Sequence, residues 1–171
     1  MAEKQKVRQS IEEGIQACLD GERKANALQF TAYLRDQGLN PIWASPLSWK
    51  IIYKNQCVCY IKLFTDGRPG YNNRTDGDWM INPHGGFPGG YGSVFNDDPG
   101  KEIAWANIKH CIGCSQKCVK GKMWRSVSVL GRTFDQVCKY VTFAWANPGA
   151  DAIVYIKKMI VNRCNEIKPM I

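Results

Sequence analysis

The chain has 171 residues, of which 44% are hydrophobic and 22% are charged, as is ordinary for a globular protein. At this length one compact domain buries roughly two thirds of the surface of the unfolded chain, so neither a metal nor a disulfide is needed merely for folding. The formal net charge is +8, and residues 101–171 hold the whole basic excess, with twelve basic and four acidic side chains.

The chain shows no sign of export or membrane insertion. Its first ten residues, MAEKQKVRQS, lack the apolar stretch of a signal peptide, and no apolar run reaches the length of a membrane span. We therefore expect a cytoplasmic protein with no membrane partner. Because disulfides rarely form in that compartment, the eight cysteines require another explanation.

The N-terminal third has the apolar spacing of two α-helices. In the first, apolar residues recur every three or four positions from Val7 to Leu19. The second is predicted from about Glu22 to Gln37, because Gly38 and Pro41 are typical of a helix end.

A change to β-branched and aromatic residues then predicts strands. Ser48–Tyr53 and Cys57–Phe64 form a predicted β-hairpin, and Asp78–Asn82 is a predicted third strand. Residues 83–100 contain too much glycine and proline for a regular element, so we expect a long loop there.

Helical signals return after this loop. Asp98 and Pro99 predict an N-cap and a first helical residue, with the helix continuing to about His110. Met123–Leu130 is a possible fourth strand.

Two more helices are predicted at the C-terminal end. Thr133 and Gln136 have the spacing of a capping box, and the helix that they open is expected to extend to about Trp145. The last helix follows Asn147-Pro148 and ends before Pro169. Strands and helices are therefore segregated along the chain. This order predicts a single α+β domain over residues 1–171, with a small antiparallel sheet of three or four strands packed against N-terminal and C-terminal helices.

A cysteine knuckle at residues 110–118 is the most specific chemical signal. Cys111 and Cys114 are three positions apart with Gly113 between them, which lets two thiolates reach one ion from a tight turn. Cys118 lies close enough in sequence to add a third sulfur. Because tetrahedral zinc takes four ligands, the pattern predicts a zinc site with one ligand still to be assigned.

Several groups are candidates for the fourth position. His110 is adjacent to Cys111, although neighbouring residues seldom bind one ion comfortably. A water molecule in this position would make the site potentially catalytic. The remaining candidates are His84, Cys138, Cys57 and Cys59.

Two other interpretations of the knuckle stay open. Nearby lysines would offset the negative charge of three zinc-bound thiolates, but they would also lower the pKa of free thiols and make them reactive. Redox or iron–sulfur chemistry, or reduced cysteines without a special role, are therefore alternatives. The lysines concerned are Lys109, Lys117, Lys120 and Lys122.

The other cysteines have simpler explanations. Cys18, Cys138 and Cys164 lie on the apolar stripes of predicted helices, where a thiol packs as a small hydrophobic group. Cys57 and Cys59 are two apart on a predicted strand, so both are expected on one face, either in the core or as two thiols for one metal.

Aromatic residues on and beside the predicted sheet indicate where a small ligand would bind. Trp49, Tyr60 and Trp79 could form the wall of an apolar pocket. Phe87 and Tyr91, in the glycine-rich and proline-rich loop, could cover it. The basic C-terminal region also makes nucleic acid a possible partner.

The layout also resembles a known group of domains. The run TAYLRDQGLNP is followed by WKIIYKNQCVCYIKL, DWMINP and the C-terminal helices. This order resembles the small bacterial α+β domains called YdhG-like or YjbR-like. NIKHCIGCSQKCVKGK, with VLGRTFDQVC and NPGADAIVYIKKMI, is similar to a clostridial branch of them. The resemblance implies no established chemistry and no catalytic residue.

Three functions are consistent with these features. The favoured hypothesis is a non-catalytic ligand-binding or regulatory module with a structural zinc knuckle. The first alternative is a nucleic-acid-binding protein that uses the basic region 101–171. The second alternative is a thiol- or metal-dependent enzyme that uses Cys111, Cys114 and Cys118.

Overall fold

A computed structural model describes residues 8–64, 79–84, 92–111, 124–138 and 141–167. Its fold class is the predicted one, a mixed α+β domain. The helices are α1 (Ile11–Cys18), α2 (Gly21–Asp36), α3 (Asp98–Ala106) and α4 (Ala150–Glu166). The strands are β1 (Pro41–Ser45), β2 (Ser48–Tyr53), β3 (Gln56–Leu63), β4 (Trp79–Pro83), β5 (Trp124–Val129), β6 (Arg132–Cys138) and β7 (Trp145–Ala146).

The sheet is larger than the three or four strands expected. Five antiparallel strands pair in the order β1-β2-β3-β4-β7, and β5 and β6 form a separate two-stranded sheet. The sequence analysis did not predict β1 or β7. Both are edge strands, and β7 has only two residues, so the local apolar pattern that marks a strand is weak in each.

Cross-strand pairing separates the residues of the large sheet into two faces. Trp49 pairs with Ile61, which pairs with Ile81, which in turn pairs with Trp145. These four side chains share one face, here called the helical face, and all are buried in the main core. Helices α1, α2 and α4 pack there, with the Phe30 ring of α2 lying 6.4 Å from the Trp79 ring.

The opposite side of the sheet, here called the reverse face, is more polar. Lys50 pairs with Tyr60, and Tyr60 pairs with Asn82, so the three residues form a row across β2, β3 and β4. Met80 lies on the same face beside this row and is fully buried.

Side-chain caps mark where α1 and α3 begin. Ser10 and Glu13 form a reciprocal capping box at α1. The Asp97 carboxylate caps α3 by accepting the Gly100 N–H at 2.6 Å, so the cap is one residue before the predicted Asp98. Helix α4 starts after Gly149, close to the predicted Asn147-Pro148.

The predicted helix from Thr133 to about Trp145 is wrong, because residues 132–138 form β6. Leu130 and Gly131 both have positive φ, which gives a tight turn that reverses the chain from β5 into β6. Gln136 also has positive φ, at an irregularity where β6 contains an extra residue opposite β5. The capping-box spacing of Thr133 and Gln136 was therefore coincidental.

Among the residues that the structure describes, no helix is long and apolar enough to cross a bilayer.

The contact between α1 and the sheet leaves no room for a side chain at Gly14. A Cβ atom at this position would lie 2.6 Å from Trp49 Cη2 and 3.2 Å from Leu63 Cδ1. The Trp49 ring is buried and its indole N–H donates to the Gln9 carbonyl at 3.2 Å, so it cannot move away cheaply.

We therefore expect Gly14→Ala to lower the free energy of unfolding by about 1–3 kcal/mol through overpacking. Urea unfolding followed by tryptophan fluorescence measures this change. Gly92→Ala is the matched control, because nothing lies within 4 Å of a Cβ atom built at Gly92. Equal urea midpoints for the two variants would contradict the close packing of α1 on Trp49.

Candidate functional site

Residues 107–111 lead from α3 to the predicted knuckle and are held by main-chain hydrogen bonds to two other segments. The first segment is residues 142–144: the Lys109 N–H donates to the Thr142 carbonyl at 2.7 Å, and the Ala144 N–H donates to the Asn107 carbonyl at 2.9 Å. The second segment is β6, where the Cys138 N–H donates to the Lys109 carbonyl at 2.8 Å. The next paired residue, Cys111, donates its N–H to the Gln136 carbonyl at 2.6 Å. The first knuckle cysteine is therefore anchored to β6.

The His110 side chain is exposed and has a defined orientation. Its Nδ1 atom lies 3.1 Å from the carbonyl oxygen of Asp135. Because a carbonyl oxygen only accepts hydrogen bonds, this contact requires a proton on Nδ1, and in the neutral imidazole the lone pair is then on Nε2. Histidines that bind metals are commonly oriented in this way by a backbone carbonyl.

Cys114 and Cys118 lie outside the described residues, so the zinc knuckle stays a prediction. Within the described ranges, no three His, Cys, Asp or Glu side chains meet closely enough to hold a metal ion. Cys138, a candidate fourth ligand, lies on a strand and not on a helix as expected, and it is 5% exposed.

Cys57 and Cys59 do not share a face of the sheet, in contrast to the prediction. Cys59 pairs with Ile51 and Cys57 pairs with Ile52, so Val58 is an extra residue in β3. Neighbouring residues of β2 point to opposite faces, and their partners in β3 do the same. The bulge therefore places Cys59 on the helical face and Cys57 on the reverse face.

Three thiols near this bulge are held in their neutral form. Burial raises the pKa of Cys57 and of Cys164, and it raises the pKa of Cys59 well above its usual range. Cys164 lies on α4 and packs against the core, as predicted. A thiol with a raised pKa is a poor nucleophile at neutral pH, so these cysteines are suited to packing.

Tyr60 joins a small group of polar side chains on the reverse face. Its ring meets the His84 ring edge to face, with 6.0 Å between centroids, and its side chain is hydrogen-bonded to Cys57. The Cys57 thiol in turn donates to the Cys59 carbonyl at 3.7 Å. Burial, and then the Cys57 thiol, raise the pKa of Tyr60. Burial, and then the positive charge of Arg163, lower the pKa of His84.

Cys57, Tyr60 and His84 are therefore neutral at pH 7, and they can bind a ligand by hydrogen bonding. Asn82, the cross-strand partner of Tyr60, is 3% exposed, and its Oδ1 atom has no hydrogen-bond partner in the described part of the chain. The sequence analysis missed Asn82. The available signal was a polar residue in an otherwise apolar strand.

The structure separates the residues that were predicted to bind a ligand. Trp49 and Trp79 are each 1% exposed and lie on the helical face, whereas Tyr60 lies on the reverse face. The two indole rings thus belong to the main core. Phe87 and Tyr91 lie outside the described residues, so a ligand site that they share with Tyr60 stays a prediction.

Comparison with family models, with curated proteins and with solved structures gave no significant match. The similarity to YdhG-like or YjbR-like domains therefore stays a prediction from sequence.

The lowered pKa of His84 gives the fold a pH dependence with a definite sign. Because its pKa in the folded protein lies below the ordinary 6.5, the folded state binds the proton less readily than the unfolded chain. The contribution of neutral His84 to the free energy of unfolding is therefore complete above about pH 6.5. It decreases as the pH falls from there towards the pKa of His84 in the folded protein.

We expect His84→Gln to reduce the loss of stability between about pH 7.5 and pH 5.5. The measurement is the urea midpoint at both pH values, compared between the parent protein and the variant so that titrations common to both cancel. The same loss of stability in both proteins would contradict the lowered pKa of His84.

Proposed function

We propose that this protein is a non-catalytic ligand-binding or regulatory domain that holds a structural zinc ion with His110, Cys111, Cys114 and Cys118. The observation that carries the proposal is the orientation of His110. Its Nδ1–H is directed to the Asp135 carbonyl, and its Nε2 lone pair is left for a metal.

The donor set has the chemistry of a structural zinc site. Three thiolates and one neutral imidazole complete a tetrahedral shell, and a complete protein shell leaves no open position for a reacting water molecule. The anchoring of Cys111 on β6 supports this role. A zinc ion at this position would tie the segment after Cys111 to the β5–β6 hairpin.

A binding role is also favoured by three of the thiols outside the knuckle. Burial keeps Cys57, Cys59 and Cys164 neutral, which argues against a nucleophile among these three. On the reverse face, Tyr60 and His84 offer neutral hydrogen-bonding groups next to Asn82. We propose this face, together with Phe87 and Tyr91, as the place for a small ligand.

The zinc proposal predicts about one zinc ion per chain, because the four proposed ligands make a single tetrahedral site. Elemental analysis of protein purified without a histidine tag measures this ratio. Cys111→Ser/Cys114→Ser should lose the zinc and unfold at a lower temperature. Cys18→Ser/Cys164→Ser, which removes two thiols from outside the knuckle, should keep the zinc. The proposal is refuted if the parent protein contains no zinc and Cys111→Ser/Cys114→Ser unfolds at the same temperature as the parent.

The choice of His110 as the fourth ligand is tested separately. Zinc transfer to a chromophoric chelator should show that His110→Ala weakens zinc binding by at least about tenfold, since one of four ligands is lost. His84→Ala and Cys138→Ser serve as controls at two of the alternative fourth ligands, and both should bind zinc like the parent protein. A loss of affinity in either control, with His110→Ala unaffected, would reassign the fourth ligand.

A further inference from the structure

A surface groove along the C-terminal half of α4 is rich in positive charge and in hydrogen-bond donors. It encloses about 350 Å³, which is within the usual range for small-ligand sites. Helix α4, Tyr33 of α2 and the loop residues Ser93 and Val94 line it. We call this cavity the α4 groove and propose that it binds a phosphate group.

The helical spacing of α4 directs its polar residues into this groove. Lys157 and Asn165 are eight positions apart, and Lys158 and Asn162 are four apart, so two neighbouring rows of the helix surface face the cavity. Together with Ser93 they provide ammonium, amide and hydroxyl donors along the groove. Burial raises the pKa of Tyr33, which keeps its hydroxyl protonated as a further donor.

The lysines are held in place by aromatic rings. The Lys157 ammonium lies 4.6 Å from the centre of the Tyr33 ring, and the Lys158 ammonium lies 5.2 Å from the centre of the Tyr155 ring. Side chains that are already restrained lose less freedom when a ligand binds. The groove therefore presents two positioned charges.

None of the described residues that line the groove is acidic. The two nearest carboxylates differ in how far their charge is offset. Glu166 pairs with the Arg163 guanidinium at 3.4 Å. Asp97 accepts hydrogen bonds from neutral donors, and its charge also acts on Lys158. The lining residues themselves include two lysines and no acid, so they present a net positive charge to an anionic ligand.

A phosphate group fits this chemistry better than a single carboxylate. Two ammonium groups match a phosphate monoester, whose charge is about −1.5 to −2 at pH 7, and its oxygens accept from several donors at once. The phosphate could belong to a small molecule or to the backbone of a single-stranded nucleic acid. This inference does not depend on zinc binding by the knuckle.

The first arm of the test is a titration of the full, ¹⁵N-labelled chain with inorganic phosphate at constant ionic strength. We expect saturable amide shifts around residues 93–94 and 157–165. Lys157→Gln/Lys158→Gln should weaken phosphate binding at least about tenfold. Arg8→Gln/Lys24→Gln removes the same charge outside the groove and should bind phosphate like the parent protein.

The second arm uses a fluorescent single-stranded RNA of about 12 nucleotides, a length that can span such a groove. Tighter binding of the RNA than of free phosphate, with competition by phosphate, would identify a nucleic-acid backbone as the source. The logarithm of the binding constant should then fall with the logarithm of salt concentration with a slope of about −1.4, for two neutralised phosphates. Binding of phosphate without binding of the RNA would identify a small phosphorylated ligand.

Either source supports the phosphate site. Lys157→Arg/Lys158→Arg should retain binding, because it keeps both charges, and thermal unfolding verifies that each variant is folded. The proposal is overturned if phosphate causes no saturable shifts. It is also overturned if the two glutamine double variants bind phosphate equally well.

Discussion

The arrangement of the C-terminal half depends on the main-chain hydrogen bonds that residues 107–111 make with two other segments. Asn107 and Lys109 bond to residues 142–144, which lead into β7 of the large sheet, and Lys109 and Cys111 bond to β6. This short segment therefore joins the β5–β6 hairpin to the rest of the domain. It also holds Cys111 against β6 and places the His110 ring at the Asp135 carbonyl. The proposed metal site thus depends on backbone pairing between residues far apart in the chain.

The polar chemistry around β3 is governed by burial. Removal from water disfavours the charged forms of Cys57, Cys59, Tyr60 and His84, and the directions of their pKa shifts all follow from it. The bulge at Val58 adds a geometric separation, because one thiol enters the core and the other joins Tyr60 on the reverse face. The neutral thiols are poor nucleophiles, and the neutral Tyr60 and His84 side chains offer hydrogen bonds to a ligand.

The zinc site and the phosphate site are proposed for different parts of the molecule, and they depend on different interactions. The zinc site requires desolvated thiolates and a fixed imidazole, and its contribution is to stability. The α4 groove requires exposed positive charge, and its contribution is to the binding of an anion. The basic excess of residues 101–171 contributes to both, through the lysines of the knuckle and through Lys157 and Lys158.

Local patterns in the sequence were sufficient for the α+β class, the N-terminal helices, the β2–β3 hairpin and α4, because apolar periodicity and capping act between residues near in the chain. The same local rules failed at Thr133 and Gln136, where pairing with β5 prevailed over the spacing of a capping box. They also failed at Cys57 and Cys59, because a bulge depends on the partner strand. Only the tertiary structure could bring His110 to the Asp135 carbonyl, which is 25 residues away, or place Tyr33 opposite Lys157. Such contacts are set by the packing of the whole chain, for which short sequence patterns carry no information.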